Sequence, residues 1–376
     1  MPTAIPRHVY IHVPFCSRRC SYCDFAIAVR RDVPSETFAE AVAAELQVRC
    51  GPPAGTPVDT LYFGGGTPSK LGPSGVARLL DRLTRWAVPV ADAEVTLEAN
   101  PEDVTPDAAR AWRAAGINRV SLGVQSFDPA VLAWMHRTHE APQVPHAMEA
   151  LHGAGLTDVS LDLIFAVPDA VPRDWGRDLD AALALGPTHL SCYGLTVEPA
   201  TPLGRWHARG DVADTPDDRY AQEFLATHAA LEAAGFEHYE VSNFARPGRR
   251  ARHNSAYWRG VPYLGLGPSA HGFDGQVRRW NRAAFSHWEQ ALLGDAPHDP
   301  VEGEDPLDAA ARAAEAVYLG LRTRDGLAVQ PADDPCLAPW RAAGWAVQEG
   351  ERLRLTPEGW LRLDALAAAL TAHRSP

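Results

Sequence analysis

The sequence lacks an excess of positive charge. Its 376 residues contain 35 lysines and arginines against 47 aspartates and glutamates, which gives a formal net charge of -12 at pH 7. A protein that follows nucleic-acid phosphates needs basic side chains clustered on one face. The composition therefore argues against nucleic acid as a partner, and the length suggests one large domain followed by a smaller one.

Long apolar runs are also missing. No stretch approaches the roughly 20 residues that cross a bilayer. The N-terminus passes from Met1 into a strand-like segment without the apolar region of a signal peptide. These absences predict a cytoplasmic protein that has no integral membrane segment.

Cysteine is scarce and unevenly placed. Three of the six cysteines lie close together, at Cys16, Cys20 and Cys23, whereas the other three are scattered between positions 50 and 336. In a reducing cytosol such a cluster indicates metal binding or catalysis rather than disulfides. We interpret the scattered cysteines as ordinary thiols, because free cysteine usually behaves as a small hydrophobic residue.

Strand-like and helical stretches alternate along the first 200 residues. The six β-rich runs cover residues 9–13, 60–63, 95–99, 120–124, 159–165 and 189–196. Their alternation with helices predicts parallel βαβ units. One face of each strand is polar or small, and polar groups that point inward are costly unless they meet a ligand. We therefore predict an α/β fold in which a partial (β/α)6 TIM-like barrel encloses a polar cavity. The alternative is that these faces meet water, although parallel sheets are seldom exposed.

Three regions follow from this pattern. Residues 1–235 form the predicted barrel, and residues 236–300 form an irregular region rich in His, Gly, Tyr and Trp. Long structured loops of this kind are often functional. Residues 301–376 predict two helices, a hairpin at 346–355 and a last helix opened by Thr356, Pro357 and Glu358. That order is typical of a winged-helix-like module.

The spacing C-x3-C-x2-C, formed by Cys16, Cys20 and Cys23, is the most informative motif. Structural zinc usually has four ligands, and no fourth Cys or His lies at finger spacing nearby. Three thiolates fit a [4Fe–4S] cluster with one open iron better. A cysteine-bearing helix face is the other alternative, because these positions would also share one side of a helix.

The segment HVPFCSRRCSYCDF resembles the cluster loop of radical S-adenosylmethionine (SAM) enzymes, in particular the oxygen-independent coproporphyrinogen III oxidase-like branch. The resemblance covers nearly the whole chain. It implies a radical SAM barrel in which Cys16, Cys20 and Cys23 hold the cluster. It also implies that the open iron binds SAM and that an electron donor reduces the cluster.

The resemblance further implies SAM contacts, most of them at successive strand ends. The matching residues are Tyr10, Tyr22, Gly65, Gly66, Thr67, Glu98, Gln125, Arg137, Asp162 and Tyr193. The glycine segment would receive the methionyl amine, and the four charged or amide side chains would contact the carboxylate and ribose. The tyrosines would lie at the cluster loop and the adenine. Each residue alone also suits a hydrogen-bonded core position, so the prediction depends on their joint placement.

A second motif, HNSAYW, resembles the HNxxYW motif of haem-chaperone members of the same branch. It predicts haem contacts by His253, Asn254, Tyr257 and Trp258. Histidine offers an axial iron ligand, and the aromatic rings offer a flat apolar wall. The alternative is a packed aromatic turn with a hydrogen-bonded histidine. His271, in the segment GLGPSAHGF that also resembles this branch, is the other candidate iron ligand.

One departure separates two members of the branch. Asp24 and Phe25 stand where the oxidase carries a further cysteine just past the cluster loop. This difference favours a haem chaperone that carries haem as cargo and delivers it to an acceptor protein. Two alternatives stay open. One is a coproporphyrinogen III oxidase of porphyrin biosynthesis, and the other is a radical SAM enzyme that acts on an unrelated substrate.

Overall fold

The computed structural model describes residues 4–375. Short strands from the second half of the chain accompany the long central ones. In chain order, the strands are β1 (His8–Val13), β2 (Phe15–Cys16), β3 (Ala28–Val29), β4 (Thr56–Gly65), β5 (Ala87–Ala99), β6 (Arg119–Gln125), β7 (Asp158–Phe165), β8 (His189–Gly194), β9 (Glu237–Glu240), β10 (Asn243–Ala245), β11 (Leu264–Leu266), β12 (His271–Phe273), β13 (Val277–Asn281), β14 (Val301–Pro306), β15 (Leu327–Ala328), β16 (Ala346–Glu349) and β17 (Arg352–Leu355).

Helices connect most of the parallel strands and form much of the C-terminal part. They are α1 (Ser35–Cys50), α2 (Gly72–Leu83), α3 (Pro106–Ala115), α4 (Pro129–Trp134), α5 (Gln143–Gly153), α6 (Trp175–Ala184), α7 (Pro202–Ala208), α8 (Asp217–Ala233), α9 (Arg252–Trp258), α10 (Phe285–Leu293), α11 (Ala309–Arg322), α12 (Asp334–Ala342), α13 (Pro357–Trp360) and α14 (Leu363–Arg374). No helix within residues 4–375 is both long enough and apolar enough to cross a membrane.

The main sheet has nine strands in the order β11-β1-β4-β5-β6-β7-β8-β10-β9. Strands β1 and β4 to β8 are parallel neighbours, and they coincide with the six predicted runs. The predicted α/β fold, a partial (β/α)6 barrel followed by a small C-terminal module, is confirmed. Successive side chains of a strand point to opposite faces of the sheet. In β1 the alternate residues Val9, Ile11 and Val13 are accordingly fully buried, on the helix side.

The sheet extends beyond residue 235, where the sequence pattern placed the end of the barrel. Strands β9 and β10 add an antiparallel edge beside β8, and β11 pairs in parallel with β1. The region 236–300 therefore supplies both edges of the same sheet. It is less irregular than predicted, since it also contains α9, α10 and two strands of the sheet β12-β13-β14.

A buried carboxylate joins the first helix to this later region. Glu45 of α1 accepts hydrogen bonds from Arg49, Asn281 and Trp288 at 2.8, 2.7 and 2.9 Å, and from the backbone N–H of Gly267 at 2.9 Å. Its side chain is fully buried. A buried charge is tolerated when it is paired and hydrogen-bonded, as it is here.

The C-terminal module follows the predicted order. Helix α11 precedes β15, α12, the hairpin of β16 and β17, and the last two helices. The Thr356 hydroxyl accepts a hydrogen bond from the Gly359 N–H at 3.2 Å, so Thr356 caps α13 as its position before Pro357 predicts. Strand β15, which pairs with β17, was not predicted because its two residues carry no periodic signal.

Candidate functional site

The three clustered cysteines open onto one cavity of about 440 Å³. Cys16 ends β2, directly after the first strand of the sheet, and Cys20 and Cys23 follow in the next loop. In open α/β sheets ligands bind outside the carboxyl ends of the strands, and this cavity lies at that end. Nine of the ten predicted SAM contacts line it: Tyr22, Gly65, Gly66, Thr67, Glu98, Gln125, Arg137, Asp162 and Tyr193.

The thiols are partly buried and close to one another. Burial raises the pKa of Cys16, and it raises the pKa of Cys23 to about 11, with Cys20 nearby adding to both shifts. Thr67 Oγ1 lies 3.4 Å from Cys16 Sγ. Within residues 4–375, no three His, Cys, Asp or Glu side chains are grouped tightly enough to hold a single metal ion. Cysteine thiolates are the usual ligands of iron–sulfur clusters, so the three thiols at one cavity are a donor set that fits such a cluster.

Two glycines bring the backbone close to the cluster loop. A Cβ atom on Gly66 would lie 2.6 Å from the carbonyl oxygen of Pro14, and one on Gly65 would lie 2.6 Å from the ring of His12. Gly65 also has a φ of 108°, which residues with a side chain rarely adopt. The glycine segment therefore fixes the loop that carries the thiols, as well as forming part of the cavity wall.

Glu98 lies at the end of β5 and is held by two donors. The Tyr62 hydroxyl donates to Glu98 Oε1 at 2.7 Å, and the Gly65 N–H donates to Glu98 Oε2 at 3.1 Å. Burial raises the pKa of Glu98 to about 7, and the two hydrogen bonds limit that rise. Near neutral pH the carboxyl is therefore poised between its neutral and charged forms.

Arg137 connects the cysteines to the strand ends. Its guanidinium donates to Asn100 Oδ1 at 2.8 Å and to the Gly123 carbonyl at 2.7 Å, and it lies 3.5 Å from Cys20 Sγ. Desolvation opposes its charge, but nearby Tyr22 and Cys20 raise the pKa of Arg137 overall. Its Nε atom is buried and has no hydrogen-bond partner among the described residues. The guanidinium as a whole lines the cavity.

Asp162 of β7 is a second carboxylate in the cavity wall. Ser121 donates to both of its oxygens at 3.0 Å. Burial raises the pKa of Asp162, and hydrogen bonds from neighbouring serines oppose that rise. Tyr193, 42% exposed, stands beside it at the cavity rim. Among the described residues, Tyr10 is the one predicted SAM contact away from the cavity wall. It lies 3.1 Å from His12 Nδ1 and stacks on Tyr62.

The HNSAYW motif forms helix α9, not a loop. The carboxylate of Glu94, from β5, accepts hydrogen bonds from the backbone N–H groups of Arg252 and His253 at 2.8 and 2.9 Å. These are orphan donors of the first helical turn, which a carboxylate can satisfy. Helix α9 is therefore fixed to the sheet at its N-terminal end.

His253 lies inside the protein, not at a ligand surface. It is fully buried, with Nδ1 2.6 Å from Thr60 Oγ1 and Nε2 2.7 Å from the Tyr257 hydroxyl. Burial lowers the pKa of His253 to about 3, so the ring is neutral. This is the hydrogen-bonded histidine of the alternative interpretation, and it leaves neither ring nitrogen free to bind iron. Asn254, beside it, is half-buried.

The other two residues of the motif reach a surface groove. Tyr257 and Trp258 line it together with His271 of β12, which is exposed. The structure thus brings Tyr257, Trp258 and His271 to one groove, and it buries His253 behind Tyr257, outside the groove lining. His253 and Tyr257 are four residues apart on one helix face. This spacing is the signal that could have indicated the hydrogen bond between their side chains.

Sequence reasoning did not identify the residues that support these positions. Asn100, which holds Arg137, directly follows the strand that ends at Ala99, so its place could have been inferred. Tyr62 lies in a predicted strand on the same face as Thr60, and the period of two could have suggested it. Glu94 gave no signal, because its contact to α9 joins residues 158 or more positions apart.

Comparisons with known proteins agree with this architecture. Residues 10–182 match the family model described as the Radical SAM superfamily, and residues 307–362 match the HemN C-terminal domain. The solved structure of coproporphyrinogen III oxidase (HemN) from Escherichia coli superposes with a TM-score of 0.81 at 22% identity, over 98% of this chain and 90% of that one. That likeness shows a shared fold.

Sequence relatives make the family assignment more specific. The heme chaperone HemW of Mycobacterium tuberculosis (strain H37Rv) is 41% identical over 371 residues, which cover 97% of this chain and 95% of that protein. The heme chaperone HemW of Escherichia coli is 33% identical over 384 residues, which cover 98% and 99%. Likeness at this level over nearly the whole length of both proteins defines a common family. The chain therefore belongs to the HemW family of radical SAM proteins.

Proposed function

We propose that this protein is a haem chaperone that carries a [4Fe–4S] cluster on Cys16, Cys20 and Cys23, binds SAM beside it, and delivers haem to an acceptor protein. The observation that carries the proposal is the single cavity, onto which all three thiols and nine of the ten expected SAM contacts open. Its HemW relatives are named heme chaperones, which supports haem as the cargo.

The cavity offers partners for both charged ends of an amino acid. The Arg137 guanidinium would donate to the SAM carboxylate, and the glycine segment, hydrogen-bonded to Glu98 through the Gly65 N–H, would receive its amine. A cation close to Glu98 favours its ionised form, so binding would lower a pKa that burial has raised. When bound and reduced, the cluster supplies the electron used in radical SAM chemistry. An electron donor is therefore a second expected partner.

The cluster loop favours the chaperone over the oxidase. Asp24 and Phe25 line the cavity at the position where the oxidase has its further cysteine, and Phe25 is 59% exposed. The fold shared with coproporphyrinogen III oxidase keeps decarboxylation of that porphyrinogen as the second candidate. A cytoplasmic location is part of the proposal, because all six cysteines are free thiols, which a reducing compartment preserves.

Anaerobic reconstitution with iron and sulfide, followed by haem titration with and without SAM, tests the proposal. We expect about four irons and four sulfides per chain and saturable haem uptake. The Cys20→Ala variant should lose the cluster, whereas Cys336→Ala, which removes a scattered thiol, should keep it. Zinc in place of iron and sulfide would contradict the cluster. Turnover of coproporphyrinogen III by the reconstituted protein would favour the oxidase.

A further inference from the structure

A continuous groove runs between α9, the strands β12 and β13, and helix α11. It consists of two adjoining cavities of about 880 and 660 Å³. Each is within the roughly 300–1,000 Å³ range of small-molecule sites. The residues common to both are Trp258, Gly260, Val261, Phe273, Glu315 and Leu319. We call this surface the α9–α11 groove, and it is separate from the cavity of the three cysteines.

The larger part of the α9–α11 groove is positively charged. Five arginines line it against two carboxylates, although the whole chain has a net charge of -12. Three of the arginines, Arg259, Arg312 and Arg352, form no ion pair with a carboxylate within residues 4–375. Arg312 and Arg352 donate to the backbone carbonyls of Leu307, Asp325 and Gly326, so their positive charges are held in place but not neutralised. Exposed guanidinium groups that are not neutralised bind carboxylates well. This part of the groove therefore suits an anionic ligand.

The smaller part is aromatic and contains one histidine. Tyr257, Tyr263 and Tyr318 line it with His271. The His271 ring is stacked on Trp280 at a centroid distance of 5.8 Å, and it has no side-chain hydrogen bond to any described residue. Desolvation lowers the pKa of His271, with Arg278 adding to the effect. A neutral imidazole with unoccupied nitrogens is the form that binds iron.

We propose that the α9–α11 groove is the haem site, with His271 as the axial iron ligand and the arginines of the larger part as partners of the propionates. The inference deepens the proposed function and depends on it. Haem combines a flat apolar ring, an iron and two carboxylates on one rigid plane. The groove offers aromatic side chains, an imidazole and arginines without a carboxylate partner, in adjoining parts joined by Trp258.

The histidine is tested by titrating haem into the reconstituted full-length protein and its His271→Ala variant. His271 is exposed, so the substitution should leave the fold intact. We expect the Soret band of bound haem to change and to return towards the wild-type position when imidazole is added. The variant His152→Ala, which removes an exposed histidine from α5, should behave as the wild type. An unchanged Soret band in His271→Ala would overturn the assignment.

The arginines are tested with the double variant Arg259→Gln/Arg312→Gln. We expect haem to bind about tenfold more weakly, because charge-assisted hydrogen bonds to the propionates are lost. Haem dimethyl ester, which lacks these charges, should bind both proteins equally. The variant Arg113→Gln, which removes an exposed arginine of α3, is the matched control. Equal haem affinity in the double variant and the wild type would contradict the proposed propionate contacts.

Failure of this inference differs from failure of the proposed function. If the wild type binds haem but none of these variants alters the spectrum or the affinity, haem binds elsewhere and the α9–α11 groove is not its site. If the wild type binds no haem at all, the chaperone proposal itself fails. The same titrations distinguish a haem site from a groove that binds flat anions in general. In the second case iron-free protoporphyrin would bind as tightly as haem, and His271→Ala would not change its affinity.

Discussion

The ring of Tyr62 is stacked on the imidazole of His253, with centroids 5.0 Å apart and an angle of 25° between the planes. The Tyr62 hydroxyl also donates to Glu98, which lines the cavity of the three cysteines. On the other side, His253 contacts the Tyr257 hydroxyl, and Tyr257 lines the α9–α11 groove. Tyr62 and His253 therefore form a direct side-chain connection between the two candidate ligand sites.

The variant Tyr62→Phe removes the hydroxyl that donates to Glu98 and keeps the stacked ring. Because that donor stabilises the carboxylate, its loss should raise the pKa of Glu98 above about 7. Carbon-13 NMR titration of the glutamate carboxyl groups measures the shift in protein without SAM. A pKa that falls in the variant would contradict this account of the hydrogen bond.

Glu98 should also make stability depend on pH. Its pKa is raised in the folded state, so the folded protein binds the proton more tightly than the unfolded chain. The resulting contribution to the free energy of unfolding is fully present below about pH 4.5 and is lost as the pH rises through about 7. The loss should be on the order of 3 kcal/mol. Urea unfolding of SAM-free protein between these pH values measures it. In Glu98→Gln this component should disappear, and an identical pH profile in the variant and the wild type would rule it out.

Glu45→Gln should destabilise the fold strongly. The substitution leaves Arg49 as an unpaired charge in the interior and weakens the bonds to Asn281 and Trp288. Removal of one partner of a buried ion pair costs about 3–5 kcal/mol. Urea unfolding should therefore show a much lower midpoint, whereas Glu149→Gln, on an exposed face of α5, should unfold as the wild type. Equal midpoints would show that Glu45 is not essential for stability.

Gly66→Ala should impair the cluster rather than the global fold. The added Cβ would meet the Pro14 carbonyl at 2.6 Å, and Pro14 precedes Cys16 by two residues. The thiol loop must then move, so we expect a lower iron and sulfide content after reconstitution. Gly153→Ala is the control, because a Cβ there meets nothing within 4 Å. Full cluster content in Gly66→Ala would show that the loop tolerates the displacement.

Much of the sheet was predictable because its signals are local. The runs that became β1 and β4 to β8 are apolar on alternate positions, and Thr356 before Pro357 marks a helix start. The cavity was predictable from polar residues at strand ends, such as Glu98 and Asp162. The position of His253 was not, because its burial depends on Thr60, a partner 193 residues away in the sequence. The edge strands β9 to β11 are too short to carry a periodic signal.

The pairing of β11 with β1 affects how the chain can be built. β1 leads into the loop of Cys16, Cys20 and Cys23, and its outer edge is completed by Leu264–Leu266. During synthesis, this edge stays open until more than 260 residues have left the ribosome, and an open edge can pair with another chain. The loop of Cys16, Cys20 and Cys23 is therefore made before most of the sheet, and the strand that leads into it gains its second neighbour only when β11 pairs with β1.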